Sequence, residues 1–155
     1  PVLKLKKPFI FCYFLTTNQE YKNHVQKYAH EHNLEIVGTS FDSNDYKWMQ
    51  RIPVMGPREW LWLIDNASIV LTNSYHATIL SLILHTPFFT FLRFDKTSKH
   101  SQNARLEQLN EYFGIDDYLI DSGISEIEPY AFDSFDDKLP TLQKLAKEYL
   151  LQNIK

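Results

Sequence analysis

Residues 68–92 read SIVLTNSYHATILSLILHTPFFTFL, and this stretch decides the fold. It opens on a short β-branched run, 68–72, and turns at Asn73-Ser74. An apolar segment of helical length follows at 75–85, and Thr86-Pro87 leads to a second run at 88–92. A strand buried on both faces lacks polar alternation, because helices cover both sides of a parallel sheet. Segment 75–85 is apolar nearly all round, which predicts a deeply buried helix. Strand, helix and strand in this order form a right-handed parallel crossover unit.

The same grammar extends outward. Residues 9–15 (FIFCYFL) and 35–39 (EIVGT) are further strand runs. Between them, 19–32 places Tyr21, His24, Val25, Tyr28, Ala29 and His32 on one helical stripe. Gly56-Pro57 opens a helix over 57–66 with Trp60, Leu61 and Ile64 inward. Residues 103–113 put Leu106, Leu109, Tyr112 and Phe113 on one face, and Gly114 closes that helix. Short strands are expected near 51–54 and within 115–121. The acidic run from Asp116 to Asp137 reads as a solvated surface loop. An amphipathic helix over 139–154, with Leu142, Leu145, Ala146, Tyr149 and Leu150 on one face, ends the chain. The expectation is a single doubly wound α/β unit over 1–155.

Composition narrows the functions. The chain has 155 residues, 44% hydrophobic and 23% charged, enough to bury a core without staples. Its one cysteine, Cys12, excludes an internal disulfide and a cysteine zinc cage, and suits a reducing compartment. The four glycines, at 38, 56, 114 and 123, are too scattered for a G-x-G-x-x-G turn or a P-loop. A net charge of −3 argues against bulk nucleic-acid binding. No apolar run reaches the roughly 18 residues a membrane span needs, and no signal peptide is visible. The chain begins at Pro1 rather than Met, so a fragment of a longer protein is expected.

Ligands of open α/β sheets bind outside the carboxyl ends of the strands. Two segments fall on that rim. Thr72-Asn73-Ser74-Tyr75-His76 leaves a strand and enters a helix whose N-terminus favours anions. Ser74 can cap that helix, and His76 projects from its first turn, where an imidazole can donate to an anion or move a proton. An N-cap serine followed by a partly buried structural histidine would have the same sequence. The second segment, 93–105, carries Arg93, Lys96, Lys99 and Arg105 against one acid, Asp95. Arginine forks suit phosphate and carboxylate, though a solvated loop can also be basic. Arg105 opens a helix where an acid would be usual, which singles it out as an anion ligand. His24, His30 and His32 lack the carboxylate spacing of a metal site and read as packing or surface residues. His85 ends a helix, where the dipole favours it. Most aromatic residues fall on inner faces. Trp48, in a polar stretch, is the exception.

Several of these segments together resemble the polysaccharide pyruvyl transferase family. They are Gly56-Pro57-Arg58-Glu59-Trp60-Leu61, then Ala67, then Val70-Leu71-Thr72-Asn73-Ser74-Tyr75-His76-Ala77, then Thr86-Pro87-Phe88-Phe89. Phe11-Cys12-Tyr13-Phe14-Leu15 with Glu20-Tyr21, and Ala104-Arg105-Leu106 before Gly114-Ile115, extend the likeness over most of 9–120. Two departures stand out. Ser74 occupies a place where some members have Arg, and Ala77 one where Gly is common.

The resemblance implies the C-terminal, Rossmann-like lobe of a two-lobed glycosyltransferase-B-like enzyme of bacterial exopolysaccharide synthesis. Such enzymes move pyruvate from phosphoenolpyruvate onto two sugar hydroxyls as a ketal. It further implies His76 as the catalytic residue at the donor site. Asn73, Ser74, Arg93, Lys96, Lys99 and Arg105 are the expected substrate contacts. No metal or cofactor is expected beyond phosphoenolpyruvate as donor substrate. The expected partners are a glycan or lipid-linked sugar acceptor and a missing N-terminal lobe. The implied location is cytoplasmic, at most peripheral to the inner membrane, and the isolated unit is expected not to turn over. Two other readings remain open: the donor lobe of a sugar-nucleotide glycosyltransferase, and a non-catalytic glycan-binding module.

Overall fold

The structure, a computed structural model, describes residues 5, 8–40, 42–52, 55–92, 104–115, 119–120, 127 and 129–154. Six strands form one sheet in the order β3-β2-β1-β4-β5-β6. They are β1 (Phe9–Phe14), β2 (Glu35–Ser40), β3 (Gln50–Arg51), β4 (Ile69–Thr72), β5 (Phe88–Phe91) and β6 (Leu119–Ile120). Every pairing is parallel, with Phe9 beside Glu35 and Ile10 beside Ile69. The four long apolar runs therefore form the expected parallel sheet, and the order has the doubly wound, Rossmann-like form.

The strand period of two sends alternate side chains to opposite faces. Phe9 and Phe11 join Val70 and Phe88 in one core. Ile10, Cys12 and Phe14 join Leu71, Phe89 and Phe91 in the other. Helix α1 (Gln19–His32) covers the second core with Tyr21, Val25 and Ala29. Helices α2 (Pro57–Asn66), α3 (Tyr75–Leu84), α4 (Ala104–Phe113) and α5 (Asp133–Asn153) cover the first. Among the described residues no helix is long and apolar enough to cross a membrane.

Several expectations need correction. Helix α3 is buried on one face only: Ala77, Thr78, Ser81 and Leu82 are inside, whereas Ile83 is 52% exposed. A helix lying on one side of a sheet has one inner face, however apolar its sequence. In α2 the inner pair is Leu63 and Ile64, and Leu61 faces outward. In α4 Asn110 is inside and Tyr112 is out. On α1 the stripe is narrower than its sequence pattern, and His32 is exposed and stacked on Tyr28. Trp48 is half-buried against the second core, not free in a loop.

The end of the acidic run is helix, because α5 starts six residues before the expected position, at Asp133, and residues 116–118, 121–126 and 128 of the run lie outside the described ones. Asp133 and Asp136 sit in its first turn, where carboxylates suit the helix dipole. Burial of Phe135 and a 2.7 Å hydrogen bond between His85 and Asp136 hold that turn down. Pro140 lies inside the helix rather than near its start. Beyond Leu142, which packs on the core, Leu145, Tyr149, Leu150 and Leu151 are exposed.

Candidate functional site

The sheet reverses its winding between β1 and β4. The connection after β1 leads to α1 on one face, and that after β4 leads to α3 on the other. This leaves a crevice at the carboxyl edge, the usual ligand position in such sheets. A chain of hydrogen bonds fixes its walls. The Thr72 hydroxyl donates to the Tyr13 carbonyl at 2.6 Å and accepts from the Ser74 N–H at 3.0 Å. Asn73 accepts from the Leu15 N–H at 2.9 Å and donates to the Thr16 carbonyl at 2.7 Å. The Thr78 hydroxyl donates to the Ser74 carbonyl at 3.1 Å and meets the Thr90 hydroxyl at 3.0 Å. Thr72, Asn73, Ser74, Thr78 and Thr90 are all buried, so these bonds pin β1, β4, β5 and the start of α3 as one unit.

Four of the expected site residues are described: Asn73, Ser74, His76 and Arg105. Asn73 is buried, and its amide is committed to the end of β1, which makes it a positioning residue for the crevice. Ser74 stands at the N-cap of α3 but makes no capping hydrogen bond with its side chain. The first intrahelical bond runs from the Thr78 N–H to the Ser74 carbonyl at 3.0 Å. The N–H groups of Tyr75, His76 and Ala77 precede that bond and emerge from the helix end. His76 is exposed in the same turn, with its ring edge-on to Tyr75. The three motif residues thus come together at an uncapped helix N-terminus.

Arg105 is exposed in the first turn of α4. Because α4 follows β5, the neighbour of β4, its N-terminus belongs to the same edge of the sheet. Arg93, Lys96 and Lys99 lie outside the described residues. The Tyr21 hydroxyl donates to the Leu92 carbonyl and so fixes the point from which that basic segment departs.

A neighbouring cluster was missed in the sequence. Asp45 is only 6% exposed and accepts from the Thr17 hydroxyl at 2.8 Å, the Ser40 hydroxyl and the Trp48 indole at 3.1 Å. It sits in the short 3₁₀ turn Ser43–Lys47, which Asp42 caps by accepting from the Asn44 N–H. The Tyr46 hydroxyl accepts from the Ser40 N–H and donates to the Ser40 carbonyl, clamping the end of β2. The available signal was position: Thr16-Thr17 and Ser40 through Ser43 follow strand ends, as the 72–76 segment does. Beneath this cluster burial, with the Asp45 carboxylate adding to it, pushes the Cys12 thiol pKa up. Cys12 is therefore an inert core thiol. Among the described residues no three His, Cys, Asp or Glu side chains gather as a metal site.

Comparison with known proteins adds a family match. A model of the polysaccharide pyruvyl transferase family matches residues 2–93, which include the whole of the β4–α3 turn. Arg105 lies beyond the matched stretch. No curated protein sequence matches the chain. Among solved structures, UDP-GlcNAc 2-epimerase from Methanocaldococcus jannaschii, in complex with UDP-GlcNAc and UDP, is similar at TM-score 0.47 and 14% identity. The match covers 89% of this chain and 46% of that one. UDP-GlcNAc 2-epimerase from Neisseria meningitidis, bound to UDP-GlcNAc, gives TM-score 0.48 and 10% identity over 97% of this chain and 40% of that one. The chain spans less than half the length of either.

Proposed function

The chain belongs to the polysaccharide pyruvyl transferase family, and from that premise we propose that it supplies the donor edge of an enzyme transferring pyruvate from phosphoenolpyruvate to a sugar. On this reading it is the C-terminal lobe of a longer, two-lobed glycosyltransferase-B-like protein. The observation that carries the reading is the Ser74-Tyr75-His76 turn. It lies within the family match and places an exposed imidazole beside the uncapped N–H groups of α3.

The chemistry follows from the donor. Phosphoenolpyruvate carries a phosphate and a carboxylate. One suits the N-terminus of α3, and the other suits Arg105 with Arg93, Lys96 or Lys99. Transfer begins with a proton delivered to the methylene carbon, which becomes the methyl group. C2 then accepts one sugar hydroxyl. A second hydroxyl of the same sugar displaces inorganic phosphate from C2 and closes the ketal. Of the two hydroxyl protons released, one balances the methyl group and the other leaves with phosphate. His76 is assigned as the acid for the first step. This chain forms one rim of the cleft, and the opposing lobe is needed to close both substrates into attacking geometry, so the isolated chain is expected to bind donor without turnover.

Equilibrium titration of the chain with phosphoenolpyruvate and, separately, UDP-GlcNAc tests this. Phosphoenolpyruvate should bind, and His76→Ala and Arg105→Ala should each weaken it about tenfold, the loss of one charge-assisted contact. His30→Ala, on exposed α1 surface, should leave it unchanged. Binding of UDP-GlcNAc alone would favour the sugar-nucleotide transferase reading instead. In the complete enzyme, equal and mild activity losses for His76→Ala and His30→Ala would remove His76 from catalysis.

A further inference from the structure

The loops that follow β1 and β2 border an open recess of about 470 Å³ on the same edge of the sheet, lined among the described residues by Leu15, Thr16, Thr17, Ser40, Asp42 and Ser43. It adjoins the β4–α3 turn, because the Asn73 amide that positions that turn also holds Thr16. We propose that this recess binds a neutral, hydroxyl-rich ligand and disfavours an anionic one. Resting on the reading above, that ligand is the sugar acceptor, seated next to the donor edge.

The argument is an accounting of protons. A hydroxyl has one hydrogen to give and two lone pairs to receive. Thr17 and Ser40 both spend their hydrogen on Asp45, so each turns only lone pairs toward other partners. Ser40 has one of those already taken by the Asp42 N–H at 3.1 Å. Asp42 contributes a carboxylate and no donor from its side chain. Among the described residues of the lining, Thr16 and Ser43 are the ones whose side-chain hydrogens are not spent on a described partner. The recess is therefore weighted toward acceptors and has a carboxylate at its mouth and another beneath it. Sugar hydroxyls can donate into such a lining and accept from Thr16 and Ser43. A ligand carboxylate would meet Asp42, with Asp45 behind Thr17 and Ser40, and no Lys or Arg stands among the described residues of the lining to offset them. Buried Asp45, with its three donors, and the Tyr46 clamp on Ser40 hold this geometry before any ligand arrives.

The test uses a matched pair, methyl β-D-glucopyranoside and the corresponding methyl glucuronide, which differ in a carboxylate. Each is titrated into the ¹⁵N-labelled chain. The glucoside should shift the amides of Thr16, Thr17, Ser40, Asp42 and Ser43. The glucuronide should bind at least about fivefold more weakly. Thr17→Val should weaken the glucoside about fivefold by removing an acceptor. Asp42→Asn, an exposed change that spares the Asp45 network, should narrow the gap between the two ligands to within about twofold. Equal binding of the pair by the unaltered chain, shifts confined to another surface, or no shifts would overturn the proposal. Phosphoenolpyruvate in the same sample separates the two readings. Glucoside shifts in the recess without phosphoenolpyruvate shifts at 74–77 would sink the donor reading and leave the recess standing. The reverse pattern would do the opposite.

Discussion

The turn after β4 and the loops after β1 and β2 stand side by side on one sheet edge, yet they offer opposite hydrogen-bonding character. At the first, Ser74 leaves its helix uncapped, and backbone N–H groups and an imidazole face outward. At the second, a buried aspartate draws the hydroxyl hydrogens inward, and oxygen atoms remain on the surface. Threonine, serine and asparagine build both places, so residue type alone does not set the polarity of a site. What sets it is where each hydrogen is spent.

The strongest way to break the comparison is to break the frame under both regions. Gly38 in β2 lies so close to β1 that a Cβ would stand 2.4 Å from the Cys12 carbonyl and 2.9 Å from the Met49 sulfur. The first neighbour is backbone and cannot move aside. Gly38→Ala should cost about 3 kcal/mol or more, read as a lower denaturant midpoint or as loss of folded protein. The next effect separates the two regions. Asp45→Ala strips three donors of their partner, and should cost about 2–4 kcal/mol by chemical denaturation. In any folded fraction the amide signals of Thr17 and Ser40 should move, while those of Tyr75 to Ala77 stay. A shared response at both places would mean that they are one site rather than two.

The frame was legible in the sequence because it obeys periodicities. Runs of β-branched and aromatic residues marked β1, β2, β4 and β5, and Gly56 and Ser74 stand where helices begin. The β4–α3 turn was legible as a position on the carboxyl edge. Asp45 was not, because its partners are Thr17, 28 residues away, and Ser40, and no local pattern brings these together. The outward faces of Leu61 and Tyr112 were misjudged for a related reason. Helical spacing gives a stripe, but packing against the sheet decides which edge of that stripe is inside. The early start of α5 depends on the contacts of Phe135 and His85 with other elements, which a propensity for loop in an acidic run cannot reveal.

Asn73 joins the two regions, and its removal should give a smaller effect than that of Asp45. Asn73→Ala deletes an acceptor for the Leu15 N–H and a donor to the Thr16 carbonyl, at a cost of about 1–2 kcal/mol. The variant should fold and lose sharpness in the amide signals of both Thr16 and Ser74. Asn73→Asp, which keeps the acceptor and loses the donor, should retain the Leu15 contact only. If Asn73→Ala perturbs just one side, the link between donor edge and recess is not made by this side chain.

The smallest effect appears only in alkali and reports on the field beneath the recess. Burial is the larger cause of the raised Cys12 pKa, and the Asp45 carboxylate adds to it. A thiol held protonated in the folded state but ionising near its ordinary 9.0 when unfolded supports folding fully below that pH. As pH rises above 9.0, the unfolded chain gives up its proton first, and stability falls toward the folded pKa. The limiting slope is about 1.4 kcal/mol per pH unit. Denaturant midpoints between pH 7 and 10 should therefore be flat at first and then decline, over and above any change shared with Cys12→Ala. Native protein at pH 8 should resist alkylation of Cys12, and unfolded protein should react. Asp45→Asn removes the charge but not the burial, so it should leave most of the decline in place and change its extent only slightly. A decline abolished by Asp45→Asn would make the carboxylate, rather than burial, the main force on the thiol. The acceptor-lined recess would then sit over a stronger negative field than its neighbour at α3 requires.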